Sequence, residues 1–140
     1  MPTIGEPTGI EQVNRNPGFV LTCTVEAFPQ DVEELVFQLE NKTDEKFYYV
    51  ANHNVIEYEV DGIWHLLVAA PSEQEFPLTE PAFVCRPHWK DEVIIPMEYY
   101  GTEFPVGRYR FILDCSRRTD EAGSTYWHSE DYLSCTFEIK

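Results

Sequence analysis

The strongest constraint on this chain is an alternation of period two. Tyr109, Phe111, Leu113 and Cys115 alternate with Arg108, Arg110, Ile112 and Asp114; near the end Leu133, Cys135, Phe137 and Ile139 alternate with Ser134, Thr136, Glu138 and Lys140. Successive side chains of a strand point to opposite faces, so this spacing is the imprint of a sheet with one face against a core. Phe19, Leu21, Cys23 and Val25 repeat it against Val20, Thr22, Thr24 and Glu26, after a turn at Pro17-Gly18.

Asp31 to Glu40 admits two readings. Val32, Leu35, Val36 and Leu39 have helical spacing, and Asp31 with Glu34 could form a capping box. The helical reading strands Phe37 among acids, whereas a strand puts Leu35, Phe37 and Leu39 on one face, so the spacing predicts a strand. Asn41 to Asp44 is turn chemistry, and Phe47 to Ala51 begins another β-rich run. Val55 to Val60 and Ile63 to Ala69 flank Asp61-Gly62, a two-residue loop suited to a hairpin. One face is expected to carry Ile56, Tyr58 and Val60 with Trp64, Leu66 and Val68, and Glu57 and Glu59 are expected to point outward. Four prolines between Pro71 and Pro87 limit that stretch to connections or a short edge strand.

Seven to nine short segments separated by turns, with no recurring helical period, predict an all-β antiparallel sandwich. Residues 1–18, with three prolines and three glycines and no sustained period, read as an extended lead-in to a domain over 19–140. A chain of 140 residues can bury roughly 68–70% of its unfolded surface as one domain. No apolar run reaches the ~18 residues that span a bilayer. The first residues lack the basic and apolar regions of a secretion signal, so the chain is expected in the cytoplasm or, where an export segment has been trimmed, in the envelope or outside the cell.

Twenty-five acidic residues against ten basic ones give a net charge of −15. Residues 1–80 hold fifteen of the acids and three of the bases. Such a field repels phosphate backbones, which speaks against direct nucleic-acid binding and favours a cationic partner. Of the four cysteines, Cys23, Cys115 and Cys135 fall in the apolar phase of strands, where a free thiol behaves as a small hydrophobe. A bridge involving Cys135 is the rival reading, and the spacing does not choose among pairings.

The segments ending in Asn41-Lys42-Thr43, the hairpin Asp61-Gly62-Ile63-Trp64, Tyr99-Tyr100 before Gly101, Val106-Gly107-Arg108-Tyr109-Arg110 and the closing Thr136-Phe137-Glu138-Ile139 resemble, in this order, a family of bacterial immunoglobulin-like domains found in envelope proteins and lipoproteins of unassigned function. The resemblance covers most of the chain after about residue 30. It implies an immunoglobulin-like β-sandwich of about seven to nine antiparallel strands and implies no activity.

Catalysis finds no foothold, because serines and histidines are scattered without a nucleophile elbow or comparable signature. Cys85 and His88 have a spacing that could hold a metal, yet no second pair matches them, and no cofactor is implied. Asp44, Glu45, Glu57, Glu59 and Asp61 lack the loop that would organise calcium and read as a solvated acidic face. Among aromatics, Tyr48, Tyr126 and Trp127 lie in runs of successive rings that one strand face cannot bury, and Arg117 opens a long loop from Ser116 to Asp131. These nine residues are the predicted partner-binding set for a protein, preferably cationic, or a glycan. The alternative is an acidic inhibitor that mimics nucleic acid and blocks a basic enzyme.

Overall fold

A computed structural model of the chain describes residues 2–11, 13, 14, 17–49, 55–68, 83–116 and 131–140. Eleven strands form among them: β1 (Thr3–Pro7), β2 (Phe19–Cys23), β3 (Ala27–Phe28), β4 (Glu34–Asn41), β5 (Phe47–Tyr49), β6 (Val55–Val60), β7 (Ile63–Val68), β8 (Phe83–Cys85), β9 (Lys90–Pro96), β10 (Gly107–Ser116) and β11 (Asp131–Ile139). A single 3₁₀ turn at Met97–Tyr99 is the only helical element among the described residues. The all-β reading holds; of Asp31 to Glu40, residues from Glu34 on form the strand, with Leu35, Phe37 and Leu39 buried and Glu34 and Gln38 exposed, and Asp31 to Glu33 lead into it as turn and irregular chain.

The strands form two sheets. One runs β1-β7-β6-β10-β11-β3, with β5 bonded to the far part of β10 and β8 bonded to β5; the other is β2-β4-β9. All pairs are antiparallel except β3 against β11. The inner faces meet in one core, where Phe19, Leu21, Leu35, Phe37, Leu39, Val93 and Ile95 face Ile56, Leu67, Tyr109, Phe111, Leu113, Leu133, Phe137 and Ile139. Phe37 and Phe111 stack across the interface with centroids 4.4 Å apart and planes 7° from parallel. Burying each such ring contributes roughly 1.5–3 kcal/mol before packing is counted.

The Asp61-Gly62 hairpin forms as its sequence predicts, with φ of 51° and 80° at the two loop residues. The face assignment across it does not hold. A two-residue loop pairs Val60 with Ile63, Tyr58 with His65 and Glu57 with Leu66. Opposed residues of an antiparallel pair share a face, so even numbers on β6 match odd numbers on β7. Leu67 therefore joins Ile56 in the core, and Trp64, Leu66 and Val68 lie on the opposite face with Glu57 and Glu59. Gly107 is fixed by the same neighbourhood, since a Cβ there would meet the Tyr58 ring at 2.8 Å, and its φ is 156°.

Within the lead-in, Thr3–Pro7 is a strand of the large sheet. Thr3 and Ile4 pair with Val68 and Leu67, and the register shifts before Pro7 reaches His65. The chain then steps across the outer face of the sheet. The Thr8 hydroxyl donates to the Glu57 carboxylate, Arg110 Nη2 donates to the Ile10 carbonyl at 2.9 Å, and Asn14 Nδ2 donates to Ser134 Oγ at 3.0 Å. Arg110, Ile112 and Asp114 on that face are buried, so β10 is covered on both sides.

Candidate functional site

The predicted partner-binding residues do not gather on one surface. Glu57, expected to point outward, is on the outer face as its phase requires, yet it is 0% exposed. Its carboxylate is ion-paired with Arg110 Nε beneath the crossing lead-in, and the Trp64 ring lies 5.0 Å from the Arg110 guanidinium. A carboxylate enclosed in this way cannot be presented to a partner. Glu59 is half-buried and paired with Arg108 at 3.2 Å. Asp61 is exposed in the hairpin loop. Asp44 and Glu45 are also exposed, at the other end of the molecule. Val60 lies near the start of β10, because Tyr58 pairs with Tyr109, whereas Asp44 lies toward its close, because β5 pairs with Cys115 and Ser116. Nine residue steps along β10 separate the two ends by roughly 30 Å. Tyr48 is in β5, paired with Val84 and Ser116. Arg117, Tyr126 and Trp127 lie outside the described residues.

What the structure does bring together is the end that holds Asp44. Asn41, at the close of β4, is fully buried and saturated. Its Nδ2 donates to the carbonyls of Glu45 at 2.7 Å and of Cys85 and Arg86 at 3.2 Å, and its Oδ1 accepts from Thr43 N at 2.9 Å and Thr43 Oγ1 at 2.6 Å. Its backbone N–H donates to the Trp89 carbonyl at 2.9 Å. One amide thus ties the 41–45 turn to the 85–89 loop, which is the physical reason for the Asn41-Lys42-Thr43 sequence.

Arg86 to Trp89 is a tight turn closed by the Trp89 N–H on the Arg86 carbonyl at 3.1 Å. Pro87 takes its second place and His88, with φ of 61°, its third. A type II turn wants glycine or asparagine at that third place, so histidine there costs about 1–2 kcal/mol. His88 Nε2 reaches Asp44 Oδ1 at 2.6 Å, in a pair whose carboxylate side chain is 96% exposed and which adds little stability. The Arg86 guanidinium lies 5.0 Å from the Trp89 ring centroid, and Trp89 remains 52% exposed.

Cys85 and His88, the pair with metal-ligand spacing, diverge. The Cys85 thiol is buried against the Trp89 carbonyl at 3.8 Å, and burial, reinforced by Asp91, pushes it up to about 12. Among the described residues no three His, Cys, Asp or Glu side chains group to hold a metal, and no helix is long and apolar enough to cross a membrane. Sequence reasoning passed over Trp89 and Arg86. The available signal was Pro87 followed by a non-glycine residue ahead of a tryptophan, the pattern of a turn that presents a large ring. No family model matches the chain, and no curated protein matches it.

Proposed function

We propose that this chain is a non-enzymatic binding module of immunoglobulin-like type. Its partner is a protein with a basic surface, held at the sandwich end formed by Asp44, Arg86, His88 and Trp89. The carrying observation is Trp89. A large ring left half in water, with the Arg86 guanidinium over it and set on a turn that Asn41 locks in place, is an anchor held in position before any partner arrives. Asp44, paired with His88 of the same turn and 96% exposed, offers its carboxylate to a cationic partner.

The immunoglobulin-like assignment is supported by topology. In immunoglobulin terms β4 and β9 correspond to strands B and E, β6, β10 and β11 to C, F and G, and β7 to the added C′ strand. The Tyr109 hydroxyl donates to the Pro105 carbonyl at 2.6 Å, four residues upstream, as the tyrosine corner of that fold does. The second reading, mimicry of nucleic acid by Asp44, Glu45, Glu57, Glu59 and Asp61, has less support, because one of these is enclosed and the rest divide between two ends.

The test is binary. A partner captured on the immobilised protein and identified by mass spectrometry is purified, and its affinity is measured for wild type, Trp89→Ala and Asp44→Asn at two salt concentrations. Trp89→Ala is expected to weaken binding at least tenfold, a loss of about 1.4 kcal/mol or more, and salt is expected to weaken wild type. Equal affinities for all three proteins would discard the proposal. Competition by nucleic acid for a basic enzyme would favour the mimic, and capture of a glycan with no protein would change the partner class.

A further inference from the structure

We propose that Cys23 and Cys135 form a reversible disulfide that staples β2 of the small sheet to β11 of the large one. The register places them. Cys23 is the cross-strand partner of Phe37, and Cys135 that of Phe111. Phe37 and Phe111 stack on each other across the interface at 4.4 Å. Opposed residues of an antiparallel pair share a face, so the two cysteines, one strand further toward the edge, also face each other. Both side chains pack against the core where β2 and β11 lie in contact across the interface, and both are free thiols in this structure.

The position is informative within the immunoglobulin-like frame. The residue two after the corner tyrosine, and its counterpart on strand B, are where antibody domains carry their inter-sheet disulfide. Here those places hold Phe111 and Phe37, and the cysteine pair is displaced sideways onto the neighbouring strands. An inter-sheet bond here would close a loop of more than a hundred residues, the regime in which a crosslink restricts the unfolded chain most.

The two sulfurs are not equivalent. Both are half-buried, but Cys23 ends β2 at a bend, where the backbone can yield to a reagent, whereas Cys135 lies within β11. The neighbouring Cys135 thiol, with the Val25 and Thr24 amides adding to the effect, outweighs burial and draws the Cys23 pKa below the ordinary thiol value. Cys135 is shifted the other way by the neighbouring Cys23 and by burial, and its S–H donates to the Thr136 carbonyl at 3.6 Å. Cys23 is therefore the attacking thiolate and Cys135 the resolving thiol. The oxidant is a low-molecular-weight disulfide. The Cys23 thiolate attacks one of its sulfurs, the oxidant's S–S bond breaks, and one thiolate leaves. Cys135 loses its proton to that thiolate and attacks the Cys23 sulfur, forming the Cys23–Cys135 bond and expelling the second thiolate. Two electrons pass to the oxidant, which ends as two thiols once the second thiolate takes up the proton that Cys23 had released to solvent.

The experiment equilibrates the folded protein with glutathione disulfide, blocks remaining thiols with an alkylating agent under denaturing conditions, and maps the peptides. The expected result is one bridge, Cys23 to Cys135, with Cys85 alkylated, and complete reversal by excess reduced glutathione. A bridge through Cys85 or Cys115, or a protein alkylated at both Cys23 and Cys135, would overturn the proposal. This mapping needs no variant. As a second measurement, oxidation is expected to raise the Tm of wild type by on the order of 5–10 °C. That shift should vanish in Cys135→Ser, and a shift that persists in Cys135→Ser would count against the assignment.

Discussion

Replacing Arg110 by methionine isolates the buried ion pair on the outer face of the large sheet. Methionine keeps an unbranched apolar stem beneath Trp64 and removes only the guanidinium, which is ion-paired to Glu57 Oε1 and donates to the Ile10 carbonyl. The arginine is 7% exposed and the glutamate 0%, so the carboxylate left behind keeps only the Thr8 hydroxyl and gains no water. Breaking a pair this deep costs roughly 3–5 kcal/mol. That is a large part of the ~5–15 kcal/mol that holds a domain together. With m near ~2 kcal/mol/M, the urea midpoint should fall by roughly 1.5–2.5 M at unchanged m. Glu57→Leu alone should cost a similar amount, since it leaves the arginine charge uncompensated. The double variant Glu57→Leu with Arg110→Met removes both charges and should return to within about 1 kcal/mol of wild type. The cycle is then strongly non-additive, with a coupling of several kcal/mol. If the single variants each cost under ~1 kcal/mol and add, water reaches the pair, and the lead-in does not cover the sheet.

Other outcomes follow from the same geometry. Tyr109→Phe removes the hydroxyl bonded to the Pro105 carbonyl and should cost about 0.5–1.5 kcal/mol in urea unfolding, without affecting partner affinity. His88→Gly should raise stability by roughly 1 kcal/mol in the same assay, because glycine adopts the positive φ without strain, while weakening partner binding through the lost pair with Asp44. Cys23 should alkylate faster than an ordinary thiol at neutral pH, because its lowered pKa leaves it thiolate where a thiol of pKa about 8.5 is still protonated, and the advantage should fade as pH falls. Cys85, pushed up to about 12, should stay unreactive across the same range until the protein unfolds.

The inward phase of β2, β4, β10 and β11 was legible because each of these strands packs one face on the core, so period two survives in the letters. Two things were not legible. The face of β7 depends on its pairing with β6, and Ile63, Trp64, Leu66, Leu67 and Val68 offer apolar residues to both faces. Only the two-residue loop, through the Val60 to Ile63 pairing, decides that Leu67 goes in. The fate of Glu57 depends on a segment fifty residues away, since nothing near it in sequence indicates that Thr8 and Ile10 will lie over it. The acidic set therefore looked like one surface when it is two ends and a buried pair. Trp89 was hidden for a related reason: its anchoring runs through Asn41, and Asn41-Lys42-Thr43 reads locally as nothing more than a turn.

Asn41 is also where stability and recognition can be separated. It is 0% exposed, so it cannot touch a partner, yet its Nδ2 holds the Glu45, Cys85 and Arg86 carbonyls and its backbone N–H holds that of Trp89. Asn41→Ala leaves those side-chain acceptors without their donor, at a cost of at least ~1–3 kcal/mol. It also frees the 85–89 turn, so that ordering Trp89 must be done at the moment of binding. Partner affinity should drop several-fold with no change in surface charge. Arg110→Met is the control, because it costs as much stability or more on the outer face of the large sheet, away from Trp89. Measured at a temperature where both variants are fully folded, it should bind like wild type. If the two variants lose affinity equally, the loss tracks global stability, and Asn41 does not position the anchor.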